Sequence, residues 1–163
     1  MPSITIRRPA RPLDATVQLP HSKSVSNRAL LITSLLDDLS LVSALSDGDD
    51  TRVMHTLLRD RPHTMDCGAG GTTFRFLLAW AAVQDGEEHL ITGIPRLLER
   101  PHNDLVEALR TLGADIKKTS KGYRVRGRKM KGGAVHFDSP ISSQYLSALV
   151  LIAPRLQEGL DLK

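Results

Sequence analysis

The chain has 163 residues, 40% of them hydrophobic and 25% charged, and a formal net charge of +4. That is enough apolar material for a core, and mild basicity with only 4% aromatic residues suits small anionic ligands better than a nucleic-acid surface. The single cysteine, Cys67, rules out an intramolecular disulfide and a cysteine metal cage, and neither a signal peptide nor an apolar run of membrane-spanning length is visible, so a cytoplasmic protein is expected.

Ser3-Ile4-Thr5-Ile6-Arg7 alternates polar and apolar side chains and predicts a strand, broken over Arg8-Pro9-Ala10-Arg11-Pro12. Leu13 to Leu19 alternates again and stops at Pro20. Serines 22, 24 and 26 precede the apolar run Ala29 to Leu36, which predicts a helix with Ser24 at its cap, Lys23 in the loop and Arg28 one turn further. Leu39 to Leu45 reads as a short strand. Ser46 to Asp50 reads as a turn, with Asp49 or Asp50 capping a helix from Thr51 to about Arg59.

The densest glycine cluster follows. Cys67-Gly68-Ala69-Gly70-Gly71-Thr72-Thr73-Phe74-Arg75 leads into the apolar run Phe76 to Val83, which has no breaker before Asp85-Gly86. A glycine turn feeding a helix leaves backbone N–H groups without intrahelical partners, and the helix dipole favours an anion there. The spacing matches neither a Walker loop nor a dinucleotide fingerprint. Cys67 beside this turn reads as a small buried side chain rather than a nucleophile. Beyond it, Glu88 to Gly93 predicts a strand, Pro95 to Pro101 a loop, and Asn103 to Leu112 a helix ended by Gly113. Ala114 to Thr119, Tyr123 to Arg126 and Ala134 to Phe137 read as strands. Asp138-Ser139-Pro140 leads into a last helix from Ser142-Ser143-Gln144 to about Ala153, and the tail Arg155 to Lys163 reads as polar, without a closing element. The basic stretch Lys117 to Lys131 reads as solvated hairpin faces.

Helices and strands alternate, so the fold class is α/β (α+β), with helices packed on mixed sheets. The order strand–helix–strand–helix–strand–strand can be followed from about 39 to 126, with fragments of it on either side, which points to a repeated βαβαββ unit. Four turns carry anion-binding residue types: Lys23, Ser24 and Arg28; Gly71, Thr72 and Arg75; Arg96 and Arg100 in the proline-bounded loop; and Ser142, Ser143 and Gln144. Each sits at a helix start or strand end, where α/β folds place ligands, and arginine and lysine there favour phosphate or carboxylate.

Five motifs carry a family resemblance: Ser22-Lys23-Ser24-Val25-Ser26-Asn27-Arg28-Ala29-Leu30, Asp47-Gly48-Asp49-Asp50-Thr51-Arg52, Gly70-Gly71-Thr72-Thr73-Phe74-Arg75-Phe76-Leu77, Pro95-Arg96-Leu97-Leu98-Glu99-Arg100-Pro101, and Ile141-Ser142-Ser143-Gln144-Tyr145-Leu146-Ser147-Ala148-Leu149. In content and order they resemble the 3-phosphoshikimate 1-carboxyvinyltransferase (EPSP synthase) family, over essentially the whole chain. They resemble it more than its relative, UDP-N-acetylglucosamine enolpyruvyl transferase, whose catalytic-loop cysteine has no counterpart here.

The resemblance implies transfer of the enolpyruvyl group of phosphoenolpyruvate to the 5-hydroxyl of shikimate 3-phosphate, in aromatic amino-acid biosynthesis, with no metal or organic cofactor. It implies that Lys23 lies between the two substrates and takes part in catalysis. Ser24 and Arg28 would hold the shikimate ring, and Ser142 and Ser143 the 3-phosphate. Gly71, Thr72 and Arg96 would line the phosphoenolpyruvate site, and Gln144 would reach both ligands. Arg75, Arg100 and Asp49 fall to supporting roles. Ala69 stands where many members have asparagine, and Leu98 replaces a basic residue common in that loop.

Members of the family have two domains, each of three βαβαββ units. By that pattern, residues 1–20 are N-terminal strands of the inter-domain crossover region and residues 21–163 a substrate-binding domain whose third unit is incomplete. The other domain would carry the groups that deprotonate the 5-hydroxyl and protonate the methylene carbon. The chain alone is therefore expected to be inactive without the missing C-terminal half, with uncovered apolar surface open to self-association. The alternative is a non-catalytic module that holds a phosphorylated ligand. An RNA-binding domain has only net charge in its favour and lacks stacking aromatics; neither nucleic acid nor membrane is expected as a partner.

Overall fold

A computed structural model describes residues 3–8, 10, 12, 14–137 and 142–163. The expectations for Pro9, Arg11, Leu13 and the 138–141 lead-in lie outside the described residues.

The fold is organised around one buried helix, α3 (Gly71–Ala82). Phe74 and every residue from Phe76 to Ala82 have no exposed surface. A helix apolar on all sides has to be enclosed by other elements. Here they are α1 (Lys23–Leu35), α2 (Asp49–Asp60), α5 (Asn103–Thr111) and α6 (Ser143–Ile152), with strands β2 (Glu88–Thr92) and β4 (Gly122–Arg126).

A mixed sheet flanks α3 in the order β1-β2-β4-β3, with β1 at Thr64–Asp66 and β3 at Asp115–Thr119. β1 and β2 run parallel, Met65 beside Ile91, while β4 is antiparallel to both neighbours, with Val125 between His89 and Ile116. Met65, Ile91, Val125 and Ile116 are all buried, so alternation puts one side of each strand into the core. The hairpin between β3 and β4 turns at Ser120 and Lys121 and enters β4 at Gly122, whose φ of 140° lies outside the range other residues favour. A Cβ there would come within 2.2 Å of the Ile91 carbonyl oxygen.

Two strands form a smaller sheet: β5 (Gly133–Val135) and β6 (Leu160–Leu162), parallel, with α6 crossing between them. The tail therefore does contain a closing strand. Its polar composition concealed it, because a three-residue strand shows little alternation.

The full βαβαββ unit is present but displaced from the expected span. It runs β1–α3–β2–α5–β3–β4, residues 64–126. β5–α6–β6 repeats its first three elements. Leu39 to Leu45, read as a strand, forms a 3-10 turn at Leu39–Leu41 and continues without strand pairing. Asp38 explains the turn: its carboxylate accepts from the Ser40 backbone N–H at 3.0 Å. The proline loop contains a short helix, α4 (Pro95–Leu98), with Pro95 at its favoured first position.

The expected N-terminal strands are not seen among the described residues. Among the described residues, 3–8, 10, 12 and 14–20 form no strand. Ile4, Ile6, Val17 and Leu19 are 89%, 91%, 73% and 82% exposed. Alternation specifies which side of a strand would be buried but supplies no sheet to pair with, and none of the strands among the described residues takes that role.

Among the glycines, Gly127 leaves the least room for a side chain. Its N–H donates to the Glu87 carbonyl at 2.8 Å, and a Cβ would sit 1.8 Å from the Gln84 carbonyl oxygen. Backbone cannot yield as a side-chain tip can. Gly127→Ala is expected to destabilise the chain by about 1–3 kcal/mol, read as a lowered urea midpoint; an unchanged midpoint would contradict the packing described.

Candidate anion-binding site

Four helix N-termini are tied together at one end of the molecule. α1 begins after Ser22, whose hydroxyl accepts from the Val25 N–H at 3.4 Å. Ser22 rather than Ser24 is thus the cap; Ser24 is exposed in the first turn. Lys23 opens the helix, and its ammonium lies 2.9 Å from Oδ2 of Asp50 in the first turn of α2. The cap of α2 is Gly48, without a side-chain bond, so Asp49 and Asp50 sit inside the first turn instead of capping it. Negative charge there complements the dipole. Two buried bonds add to the join: Thr51 Oγ1 of α2 donates to Asn27 Oδ1 of α1 at 2.9 Å, and the N–H of Ser46, in the turn before α2, donates to Ser26 Oγ of α1 at 2.8 Å.

α3 begins after Gly70, in a turn where the Gly70 N–H bonds the Cys67 carbonyl at 2.9 Å and Asp66 accepts from the Gly68 N–H at 2.9 Å. Thr73 Oγ1 donates to the Asp50 carbonyl at 3.2 Å, which joins α2 to α3. Gly71 and Thr72 are the first two helical residues, so their N–H groups have no intrahelical partner and lie at the positive end of the dipole.

α6 begins after Ser142, whose hydroxyl accepts from the Gln144 N–H at 3.2 Å. Ser143 is exposed and Gln144 half-buried. Arg75 Nη1 donates to Gln144 Oε1 at 2.5 Å, which joins α3 to α6. Arg28 spans α1 and α6, donating to the Ser24 carbonyl at 3.0 Å and to Ser147 Oγ at 3.1 Å. Lys23, Gly71, Thr72, Gln144 and Ser142 therefore share one connected end of the fold, with Arg28 one turn deeper. Arg96 does not join them: it is exposed on α4 and makes no hydrogen bond or ion pair among the described residues.

The sequence motifs hid two features of this end. Asp50 is the partner of Lys23, and the guanidinium groups of Arg75 and Arg100 converge on Gly71. A Cβ on Gly71 would lie 2.6 Å from Arg100 Nη1 and 3.1 Å from Arg75 Nη1. Arg75 is 4% exposed, and burial, with the positive charge of Arg100, lowers its pKa. His102 lies behind them, with Nε2 donating to the Leu97 carbonyl at 2.9 Å and its ring 4.5 Å from that of Phe74. Burial lowers its pKa, opposed by that carbonyl and helped by Arg75 and Arg100.

Cys67 is 2% exposed, and burial together with Asp66 pushes its thiol far above the ordinary range. A water-soluble thiol reagent at neutral pH is expected to leave native Cys67 unmodified over hours and to label it within minutes in urea; rapid native labelling would contradict this environment. Among the described residues, no group of three or more His, Cys, Asp or Glu side chains could hold a metal, and no helix is long and apolar enough to cross a membrane.

A statistical model of the family described as EPSP synthase (3-phosphoshikimate 1-carboxyvinyltransferase) matches residues 7–65 and 60–163. A Bacteroides fragilis protein named 3-phosphoshikimate 1-carboxyvinyltransferase is 44% identical over 155 residues, covering 93% of this chain and 38% of its own length. A Sulfurovum protein of the same name is 38% identical over 184 residues, covering 94% and 43%. The solved EPSP synthase from Acinetobacter baumannii superposes with a TM-score of 0.72 at 20% identity, over 86% of this chain and 38% of that one; the likeness establishes the fold. By these matches the chain spans about two fifths of the length of its relatives, and it belongs to the EPSP synthase family.

Proposed function

We propose that this chain provides the phosphate-holding part of an enolpyruvyl transferase that moves the enolpyruvyl group of phosphoenolpyruvate to the 5-hydroxyl of shikimate 3-phosphate. One observation carries the reading: the N-termini of α1, α2, α3 and α6 are bonded into one end through Lys23–Asp50, Thr73–Asp50 and Arg75–Gln144. Such an arrangement favours ligands with several negative charges, as both substrates are.

In this reading Ser24, Arg28, Ser142, Ser143 and Gln144 hold shikimate 3-phosphate. The N–H groups of Gly71 and Thr72, with Arg96 and Gln144, receive phosphoenolpyruvate. Arg96 has to swing in from its exposed position. Lys23 lies between the substrates. The 5-hydroxyl loses its proton as its oxygen bonds C2 of phosphoenolpyruvate and C3 gains a proton; the C2–O bond to phosphate then breaks as a C3 proton leaves and the C2=C3 double bond re-forms. Fixed cations and N–H groups meet the charge on the tetrahedral intermediate.

The proton-transfer groups are assigned to the portion of the relatives that this chain does not span. The working enzyme is placed in the cytoplasm. Exposed Ile4, Ile6, Val17 and Leu19, with Val25 and Ile32 on α1 and Leu36 just after it, favour self-association of the isolated chain, which size-exclusion chromatography reads directly.

Phosphate release with both substrates tests the proposal. The 163-residue chain alone is expected to give none, and turnover is expected after mixing with a separately made polypeptide covering the remainder of a relative. Turnover by the chain alone would overturn the assignment of the proton-transfer groups. Calorimetric binding of shikimate 3-phosphate without turnover in the mixture would favour a non-catalytic binding module.

A further inference from the structure

We propose that Arg75 is a positioning residue that sets the polarity of Gln144, so that Gln144 offers a phosphorylated ligand only its amide N–H groups. The inference rests on the functional reading just given.

A glutamine amide has an acceptor end and a donor end of nearly equal shape. A guanidinium has donors only, so Oε1 is the atom that faces Arg75 Nη1 at 2.5 Å. With the oxygen engaged there, the two N–H donors lie on the other side of the amide carbon. The backbone of Gln144 is fixed as well, because its N–H donates to Ser142 Oγ at 3.2 Å.

The guanidinium is held firmly enough to impose this. It lies 5.3 Å from the Tyr145 ring centroid, and the Tyr145 hydroxyl donates to the Pro101 carbonyl. Arg75 is only 4% exposed, and its Nε has no hydrogen-bond partner. Among the described residues no carboxylate pairs with it. A buried cation matched to a neutral amide is a poor choice for stability, since an acidic side chain at 144 would pair far better. An acidic side chain would also bring a negative charge to the helix start and remove both donors. The amide, with its oxygen engaged by Arg75, keeps its two donors for the proposed ligand.

The test is calorimetric titration of shikimate 3-phosphate into the chain and into Arg75→Lys, Arg75→Met, Gln144→Ala, Gln144→Glu and the double variant Arg75→Met/Gln144→Ala. The side-chain NH2 resonances of Gln144 are followed in 15N-labelled protein. Gln144→Ala and Arg75→Met are each expected to weaken binding about tenfold, and the double variant no more than either alone. Arg75→Lys, still a donor, should stay within about threefold of the parent. Gln144→Glu should weaken binding at least as much as Gln144→Ala while raising the melting temperature, an opposition that a purely structural role does not produce. The Gln144 NH2 pair should shift on ligand addition in the parent and lose that shift in Arg75→Met. Additive losses in the double variant, or parent-like binding by Gln144→Glu, overturn this inference while leaving the site reading intact. Absence of binding by the unsubstituted chain overturns the site reading and this inference together. Gln144→Glu and Arg75→Lys decide the question even if Arg75→Met does not fold.

Discussion

Lys23→Met is expected to cost the reconstituted enzyme at least about a hundredfold in kcat/KM, while barely changing the stability of the chain. The two effects separate because the Lys23–Asp50 pair is half in solvent: the side chains are 53% and 29% exposed at 2.9 Å. Exposed pairs of this kind contribute at most about 1 kcal/mol, so the urea midpoint should move little. The ligand meets something different. With lysine present, the pair is locally neutral and an ammonium stands at the N-terminus of α1, beside the start of α2. With methionine, the Asp50 carboxylate remains alone at a site proposed to receive two anions. The substitution therefore removes a cation and uncovers an anion.

Asp50→Asn is the informative counterpart. It leaves the ammonium in place and removes the negative charge, and it keeps the backbone carbonyl that accepts from Thr73 Oγ1 at 3.2 Å. Its loss should stay under about tenfold, far short of that in Lys23→Met. Phosphate release from the chain mixed with its complementary polypeptide, beside urea denaturation of the chain, measures both. Equal losses in the two variants would mean that Lys23 matters only as the partner of Asp50.

Much of this end of the fold was legible in the sequence because helix starts are written locally. Pro20 and the serines located α1, the glycine cluster located α3, and Ser142 located α6, each within a residue or two. The choice among Ser22, Ser24, Asp49 and Gly48 as caps was not legible, since it depends on where the chain enters the helix. Strands fared worse. β1 and β6 have three residues each, too few to show a period, and β6 forms by pairing with a strand 27 residues earlier. Ser3 to Arg7 has the period of a strand yet lies exposed. The joining side chains, Asp50 to Lys23 and Arg75 to Gln144, are 27 and 69 residues apart in sequence. No motif spacing reports such a contact, so Arg75, read as supporting, and Asp50, read as a cap, emerge as ties of the site.

Gly71→Ala is expected to separate the two proposed substrates. Its Cβ would lie 2.6 Å from Arg100 Nη1, 3.1 Å from Arg75 Nη1 and 3.4 Å from Arg100 Cζ. Two of these atoms belong to Arg100, which is exposed and able to swing aside, while the buried Arg75 at 3.1 Å has to give only slightly and keeps its bond to Gln144. Alanine is also the better helix former, so the fold should tolerate the change. The methyl group would nevertheless occupy the approach to the N–H groups of Gly71 and Thr72, and displacing Arg100 would carry a positive charge away from them. Phosphoenolpyruvate is small and, in this reading, depends on that approach, so its KM should rise at least about tenfold, by the loss of charge-assisted bonds. Shikimate 3-phosphate is held chiefly from α1 and α6, and its KM should change by less than about threefold. The measurement is phosphate release by the reconstituted enzyme with each substrate varied in turn. Equal increases for both substrates would place them at one shared anion site, and an unchanged phosphoenolpyruvate KM would remove the start of α3 from the site.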